Sequence, residues 1–206
     1  MNAPRKGKPA RERLLEVGAS LFSERGFKGV SVREICKNAA TSINMVHHYF
    51  GSKEGLLDAI LERFDARVFA TPMRVIAKPP SSREDFVSRL TLLFETTLDA
   101  YIEEREVIVL AVREQADLPA AQAYQSRFAE FIDEGKRLHF VRQEIDSEMI
   151  SGAMLDRILN QVQFAPWIKR MSGRDILSDT DYRERWCRSN FDMFCHGFLP
   201  PPAGSN

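Results

Sequence analysis

A short segment near the N-terminus carries side chains that can bond to the edges of DNA bases. The amide of Asn44 matches the hydrogen-bonding groups of adenine, and the apolar side chains of Ile43 and Met45 can contact the methyl group of thymine. The guanidinium of Arg33 matches guanine, and His48 is a further polar candidate. We therefore predict base contacts by Arg33, Ile43, Asn44, Met45 and His48.

Four further side chains are suited to the phosphate backbone. Lys53 lies at the start of a predicted helix, where free backbone N–H groups add to the attraction for an anion. Ser31 and Tyr49 offer hydroxyl groups, and His47 offers a ring N–H. We predict that these four residues contact phosphates, which orient a protein on the duplex without specifying the sequence.

The adjacent residues His47 and His48 could instead suggest a metal site. Neighbouring residues on a helix point about 100° apart, so the two rings are poorly placed to bind one ion. The sequence has no glycine-rich phosphate loop, no Gly-x-Ser-x-Gly motif and no cluster with metal-ligand spacing. We predict no catalytic residue, no metal site and no cofactor, and an enzyme is the least favoured alternative.

Two short helices must position the candidate base-contacting residues. Ser31 can cap the first, with Glu34 three residues later, and Ala39-Ala40-Thr41-Ser42 separates it from the second. This arrangement is typical of a helix-turn-helix, here at about 31–50, whose second helix enters the major groove. Val46 and Phe50 are the residues of that second helix expected to face inward.

The rest of the chain also shows helical spacing of apolar residues, without sustained alternation of a strand. We predict an all-α fold of about nine helices, with Pro72, Pro79 and Pro80 as breaks and a kink at Pro166. The expected organisation is a flexible basic arm at 1–9, a DNA-binding domain at 10–68, and a ligand-binding and dimerisation domain at 69–200.

Charge is unevenly distributed along the 206 residues. Residues 1–53 contain ten Lys or Arg and four Asp or Glu, a net charge of +6, whereas residues 54–206 contain nineteen and twenty-five, a net charge of −6. A basic N-terminal part indicates a polyanionic partner at that end.

Composition excludes several classes of protein. The chain is 44% hydrophobic and 28% charged, as globular proteins are, and no apolar run reaches the roughly 18 residues of a membrane span. The N-terminus lacks the apolar segment of a secretory signal, so we expect a cytoplasmic protein with no membrane partner. Three cysteines do not form a disulfide framework, and we expect Cys187 and Cys195 to be buried thiols rather than redox sensors.

Residues 11–57 resemble the DNA-binding domain of the TetR (tetracycline-repressor-like) family. The resemblance rests on five segments and two single residues with intact spacing: Arg13-Leu14-Leu15-Glu16, Leu21-Phe22-Ser23-Glu24-Arg25-Gly26-Phe27, Ser31-Val32-Arg33-Glu34-Ile35, Ala39, Ser42, Tyr49-Phe50-Gly51-Ser52-Lys53-Glu54 and Leu56-Leu57. Four positions depart from the family pattern, which usually has Gly at Ala40, a small residue at Asn44, an aromatic residue at His47 and commonly His at Tyr49. Ala40 implies that the turn either does without a positive φ or accepts strain.

The resemblance implies a nearly all-helical homodimer that binds a palindromic operator in double-stranded DNA and usually represses transcription. The two recognition helices would enter successive major grooves, roughly 34–36 Å apart. The last two long helices would form the dimer interface, with Met154, Ile158, Phe191 and Phe194 as candidates, although each is equally suited to core packing.

The resemblance also implies release from DNA when a small-molecule effector binds the C-terminal domain. Aromatic and polar side chains could line that pocket, and most of them could equally belong to an ordinary core. The candidates are Phe94, Tyr101, Arg113, Tyr124, Phe128, Gln161, Phe164 and Trp167. A regulator without an effector, acting through dimerisation and protein partners, is the second hypothesis.

Overall fold

The computed structural model describes residues 8–198, and all the regular secondary structure in this part of the chain is α-helical. It confirms the prediction of an all-α fold. Most of the predicted basic arm lies outside the described residues. The eleven helices are α1 (Ala10–Arg25), α2 (Val32–Asn38), α3 (Ile43–Phe50), α4 (Lys53–Val68), α5 (Ala70–Val75), α6 (Arg83–Glu103), α7 (Arg105–Glu114), α8 (Pro119–Arg137), α9 (Ser147–Gln163), α10 (Ala165–Ser172) and α11 (Thr180–Phe198).

Two prolines account for the difference between nine predicted and eleven observed helices. Pro72 lies in the first turn of α5, where its missing N–H needs no partner, so it does not prevent a short helix. Pro166 is the second residue of α10, and α9 ends before it at Gln163, with Phe164 between the two helices. The proline therefore begins a separate helix instead of kinking a continuous one.

The described helices form two compact units. The first contains the residues up to Arg67 together with Glu104–Leu118, and the second contains Val68–Glu103 and the residues from Pro119 onward. The sequence prediction placed 69–200 in one domain, whereas the structure groups α7 with α1–α4. The physical reason is that α7 packs against α1 and buries Val107 and Leu110.

The interior of the first unit is apolar. Leu14, Ile35, Val46 and Leu56 are fully buried, which brings α1, α2, α3 and α4 together around one core. Gly18 permits the close approach of α1 and α4, since a Cβ at this position would lie 3.0 Å from Cδ1 of Ile60. This core supports α3 from behind.

The interior of the second unit is rich in aromatic side chains. Phe86 and Phe131 stack with ring centroids 5.1 Å apart, and a Cβ on Gly135 would lie 2.8 Å from the Phe86 ring, so α8 requires glycine there. Arg89 donates to the carbonyl oxygens of Val75 and Pro79 and lies 4.7 Å from the centroid of the Phe131 ring. It thereby holds the connection between α5 and α6 against the core.

Within residues 8–198, every helix is too short or too polar to cross a membrane.

Candidate nucleic-acid interface

The first helix of the helix-turn-helix is capped as the sequence predicts. Oγ of Ser31 accepts a hydrogen bond of 3.2 Å from the backbone N–H of Glu34. The carboxylate of Glu34 does not complete a capping box; it forms an ion pair with Arg25 instead. Ser31 therefore fixes the start of α2 while remaining exposed.

The turn between α2 and α3 contains a strained alanine. Ala40 has φ +49°, in the left-handed region, where a Cβ costs about 1–2 kcal/mol. Arg13 from α1 donates to the carbonyl oxygens of Ala39 (2.8 Å) and Ala40 (3.2 Å). The sequence allowed either a turn without positive φ or a strained alanine at this position. The structure has the strained alanine, and the two hydrogen bonds from Arg13 stabilise the turn.

α3 presents a polar outer face. Asn44, His47 and His48 are exposed, whereas Val46 is fully buried. Ile43 is also exposed, and Met45 is half-buried. The helix ends at Gly51, whose φ of +75° suits glycine, and the chain then turns directly into α4.

The base-contact candidates therefore share one unit and one pair of helices. Arg33 is exposed on α2, so it does not depend on the α3 backbone for its position. Arg11, which the sequence did not single out, stacks over Phe50 at 5.5 Å and holds the end of α3 against α1. Only Met45 among the five candidates has a largely covered side chain.

His47 has one ring nitrogen already engaged. Its Nδ1 lies 2.9 Å from the carbonyl oxygen of Gly51, and because a carbonyl only accepts, this nitrogen must carry the hydrogen. In the neutral ring, Nε2 then has a lone pair and cannot donate to a phosphate. The predicted phosphate contact of His47 consequently requires the imidazolium form.

Lys53 is engaged within the first unit. Its Nζ donates to the carbonyl oxygen of Phe27 at 2.5 Å and lies 4.1 Å from the centroid of the Phe27 ring. The N-terminus of α4 also holds a carboxylate: hydrogen bonds from the Glu54 backbone N–H and the Ser52 hydroxyl lower the pKa of Glu54. Both features leave this helix end less available to a phosphate than the sequence suggested. Tyr49, the remaining phosphate candidate, is exposed and packs edge-on against His48.

Five of the eight predicted effector-pocket residues are buried in the second unit. The hydroxyl groups of Tyr124 and Thr97 lie 2.7 Å apart, and the ring of Tyr124 packs against Phe128. Burial raises the pKa of both Tyr101 and Tyr124, so both phenols stay protonated. The five buried candidates are Phe94, Tyr101, Tyr124, Phe128 and Gln161.

Two details of this interior were not visible in the sequence. Phe69 lies between the two tyrosines, with ring centroids 6.1 Å from Tyr101 and 5.3 Å from Tyr124. Among the described residues, Nε2 of Gln161 is one of two buried side-chain polar atoms without a hydrogen-bond partner, the other being Oγ1 of Thr41. Phe69 lies between two helices, and nothing in the sequence indicates which distant residues such an apolar side chain contacts.

The structure does not group the other three pocket candidates with these five. Arg113 belongs to the first unit, where it donates to the carbonyl oxygen of Ser23. Phe164 and Trp167 are 49% and 55% exposed, because α10 begins anew at this point and turns them away from the core of the unit.

The candidate dimer residues separate into two pairs. Met154 and Ile158 are 1% and 0% exposed within a single chain, so they pack in its core and offer no surface to a second copy. Phe191 and Phe194 are half-buried, and the ring of Phe194 lies 6.5 Å from Phe94. Only the pair on α11 keeps surface for an interface.

A groove of about 220 Å³ opens in the first unit between α1, α4 and α7. Apolar side chains and two arginines line it, among them Leu15, Ile60, Arg63, Phe64 and Arg67. Arg67 pairs with Glu104, which belongs to the same unit. None of the predicted effector-pocket residues lines this groove.

The described residues contain no group of three His, Cys, Asp or Glu side chains that could hold a metal ion. Burial raises the pKa of the Cys187 and Cys195 thiols to about 12, so both stay protonated and poorly reactive.

Comparison with known proteins identifies the helix-turn-helix. A family model described as "Bacterial regulatory proteins, tetR family" matches residues 14–60. The chain is 26% identical over 151 residues to the transcriptional repressor KstR2 of Mycolicibacterium smegmatis, covering 68% of this chain and 71% of the relative. It is 27% identical over 157 residues to the transcriptional regulator YdgC of Bacillus subtilis, covering 74% and 79%.

A solved structure shows the same fold over nearly the whole chain. The ketosteroid transcriptional regulator KstR2 of Mycobacterium tuberculosis superposes with a TM-score of 0.69 at 19% identity, covering 97% of this chain and 100% of that one. The exposed α3, the turn held by Arg13 and these likenesses together show a DNA-binding transcriptional regulator whose residues 14–60 form a DNA-binding domain of the TetR type.

Proposed function

We propose that this regulator is a repressor that binds a palindromic operator as a homodimer, acts in the cytoplasm, and is released by a small-molecule effector. The observation that carries the proposal is the exposed polar face of α3, which follows a turn fixed by Arg13. A rigidly held helix with polar side chains outward is suited to the major groove.

The proposed base contacts centre on α3. Asn44 pairs with adenine, Ile43 contacts a thymine methyl group, and Arg33 on α2 bonds guanine. His48 is the fourth base contact, and Met45 contributes through the part of its side chain that stays uncovered. Ser31, Tyr49 and His47 contact the backbone.

We assign Lys53 a role other than the direct phosphate contact that its sequence position suggests. Because its ammonium group binds Phe27, it acts chiefly by fixing the start of α4 and contributes to phosphate attraction at longer range.

TetR-family regulators act as dimers. We place the interface on α11, where Phe191 and Phe194 keep uncovered surface and Met193 is exposed. Dimerisation sets the separation of the two recognition helices at roughly 34–36 Å, so that the preferred DNA site has two half-sites about one helical turn apart.

We infer the chemistry of the effector from the interior of the second unit. Its aromatic side chains favour a largely apolar molecule, and the unpartnered amide of Gln161 favours one that carries a hydrogen-bond acceptor. No charged side chain is among the five buried candidates. The M. tuberculosis relative is described as a ketosteroid regulator, so neutral polycyclic ketones belong at the head of a screening panel.

The first experiment is a selection of genomic fragments on the purified protein, followed by gel shifts at two salt concentrations. A tight palindromic site that binds two or four subunits supports the proposal. Weak, salt-sensitive binding without sequence preference contradicts it, because counterion release alone gives such behaviour.

The second experiment tests release by the effector. Compounds of the proposed class should lower operator affinity at a fixed DNA concentration, and they can do so only if they bind the DNA-incompetent state more tightly. If no compound does so, the alternative is a regulator that acts through protein partners. The exposed apolar residues Phe164, which precedes α10, and Trp167 and Met171 within it favour that alternative, since they recur at helical spacing.

A further inference from the structure

Phe27, in the loop between α1 and α2, is held from two sides within the first unit. Its backbone N–H donates to Oε1 of Glu114 at 3.2 Å, and its carbonyl oxygen accepts from Nζ of Lys53 at 2.5 Å. Its ring lies under the Lys53 ammonium group and packs against Phe22, with centroids 5.4 Å apart. Both backbone ends and the side chain of one residue are therefore fixed by α7, α4 and α1.

α7 also binds the C-terminal end of α1. Nη1 of Arg113 donates to the carbonyl oxygen of Ser23 at 3.1 Å, and Oγ of Ser23 shares its one hydrogen between the carbonyl oxygens of Glu106 on α7 and Ala19 on α1, each at 2.7 Å. The last carbonyl groups of a helix lack partners within it, and a cation near them is favourable. Arg113 thus caps α1 from another helix.

These contacts connect α7 to the recognition helix through few intermediates. Lys53 is the first residue of α4 and follows Gly51, which ends α3, by two positions. The residue whose side chain binds Phe27 therefore also lies directly after the end of α3. α7 itself follows α6 after the single residue Glu104.

We propose that Glu114 and Arg113 are positioning residues for operator binding, although they make no DNA contact. Glu114 fixes the backbone of Phe27, Phe27 fixes Lys53, and Lys53 fixes the first turn of α4 beside the end of α3. Arg113 holds the end of α1 from which this loop begins. Loss of either side chain frees the loop, and the recognition helix then spends less time in the orientation that fits the groove. This inference rests on the proposed mode of DNA binding through α3.

The test compares three α7 variants of the full-length protein on the selected operator by fluorescence anisotropy. Glu114→Ala removes the acceptor and should weaken operator binding about tenfold, as expected for loss of a charged hydrogen bond that the bound state requires. Glu114→Gln keeps an acceptor oxygen and should stay within about threefold of wild type. Glu106→Ala removes the same charge from an exposed position on α7 and should leave affinity unchanged.

A double variant tests the route through Phe27. If Glu114 acts through Lys53, then Glu114→Ala combined with Lys53→Met should bind operator no more weakly than Lys53→Met alone. Losses that multiply overturn the proposal, as does an unchanged affinity in Glu114→Ala. Thermal melting accompanies each variant, because a loss of operator affinity at an unchanged melting temperature separates a positioning role from a loss of folded protein.

Ser23→Ala keeps the proposal testable if Glu114→Ala fails to fold. It removes one hydrogen bond between α1 and α7 and should weaken operator binding about threefold, and an unchanged affinity contradicts the proposal. Failure of the wild-type protein to bind any operator would contradict the proposed function itself, and this outcome is distinct from all the variant results.

Discussion

The two units differ in where their polar side chains lie. In the described part of the first unit, Asp65 is the one polar residue that is buried as a whole, and most of the candidate DNA contacts are exposed, with Met45 and Lys53 partly covered. The second unit buries polar side chains as well as its aromatic residues: Thr97, Ser147, Ser151, Gln161 and Asn190. The first unit therefore has an almost wholly apolar interior, whereas the interior of the second also contains polar side chains, one of which, Gln161, has a buried amide nitrogen without a partner.

The largest effect on stability is expected in the apolar interior of the first unit. Leu14→Ala should lower the free energy of unfolding by about 2–5 kcal/mol, because Leu14 is fully buried and its loss leaves a cavity. Urea denaturation followed by circular dichroism measures the change. Leu92→Ala, at an exposed leucine, is the control and should lose less than about 1 kcal/mol. Equal losses in the two variants would contradict the description of this core.

A smaller loss is expected from the buried hydroxyl of the second unit. The Thr97 hydroxyl donates to the carbonyl oxygen of Leu93, so Tyr124 is the donor in the pair that the two residues form. Tyr124→Phe removes this bond but leaves Thr97 with its backbone partner, and should cost about 0.5–1.5 kcal/mol. A loss above about 3 kcal/mol would mean that the Tyr124 hydroxyl has a larger structural role than one hydrogen bond.

Gln161→Met should raise stability, in contrast to the two preceding variants. The amide nitrogen is buried without a partner, so an apolar side chain of similar shape should stabilise the protein by up to about 1 kcal/mol. Operator affinity should be unchanged, while an effector that accepts a hydrogen bond should lose potency. Destabilisation by Gln161→Met would show that the amide has a partner within the folded chain, and would remove the main argument for a polar effector contact.

Asn44→Ala should have the smallest effect on stability and a clear effect on function. Asn44 is exposed, so the free energy of unfolding should change by no more than about 0.5 kcal/mol. Discrimination at one base pair should fall by about 1–3 kcal/mol, measured by competition between operators that differ at that position. An unchanged base preference would contradict the proposed contact with adenine.

The helix-turn-helix was predictable because its determinants are local. Capping by Ser31 and the inward position of Val46 depend on residues within one or two helical turns. The position of Pro72 inside a helix was not predictable in this way, since a proline in a first turn and a proline in a loop leave the same mark in the sequence.

The candidate contacts with DNA were predictable as a set, but their individual states were not. Asn44 and His48 are exposed, as a recognition surface requires. Lys53 binds Phe27, which requires α4 to pack against the loop between α1 and α2. His47 binds the carbonyl oxygen of Gly51, which requires the turn of the backbone at the end of α3.

The sequence alone determined that this protein is all-helical, that it carries a helix-turn-helix at about 31–50, and that its basic charge lies at that end, because each of these follows from spacing and composition along the chain. Tertiary structure decided that α7 joins the first unit, that Met154 and Ile158 pack inside one chain, and that Glu114 reaches Phe27. Burial and hydrogen bonding depend on which surfaces meet across distant segments, and helical periodicity specifies which face is apolar without specifying what it packs against.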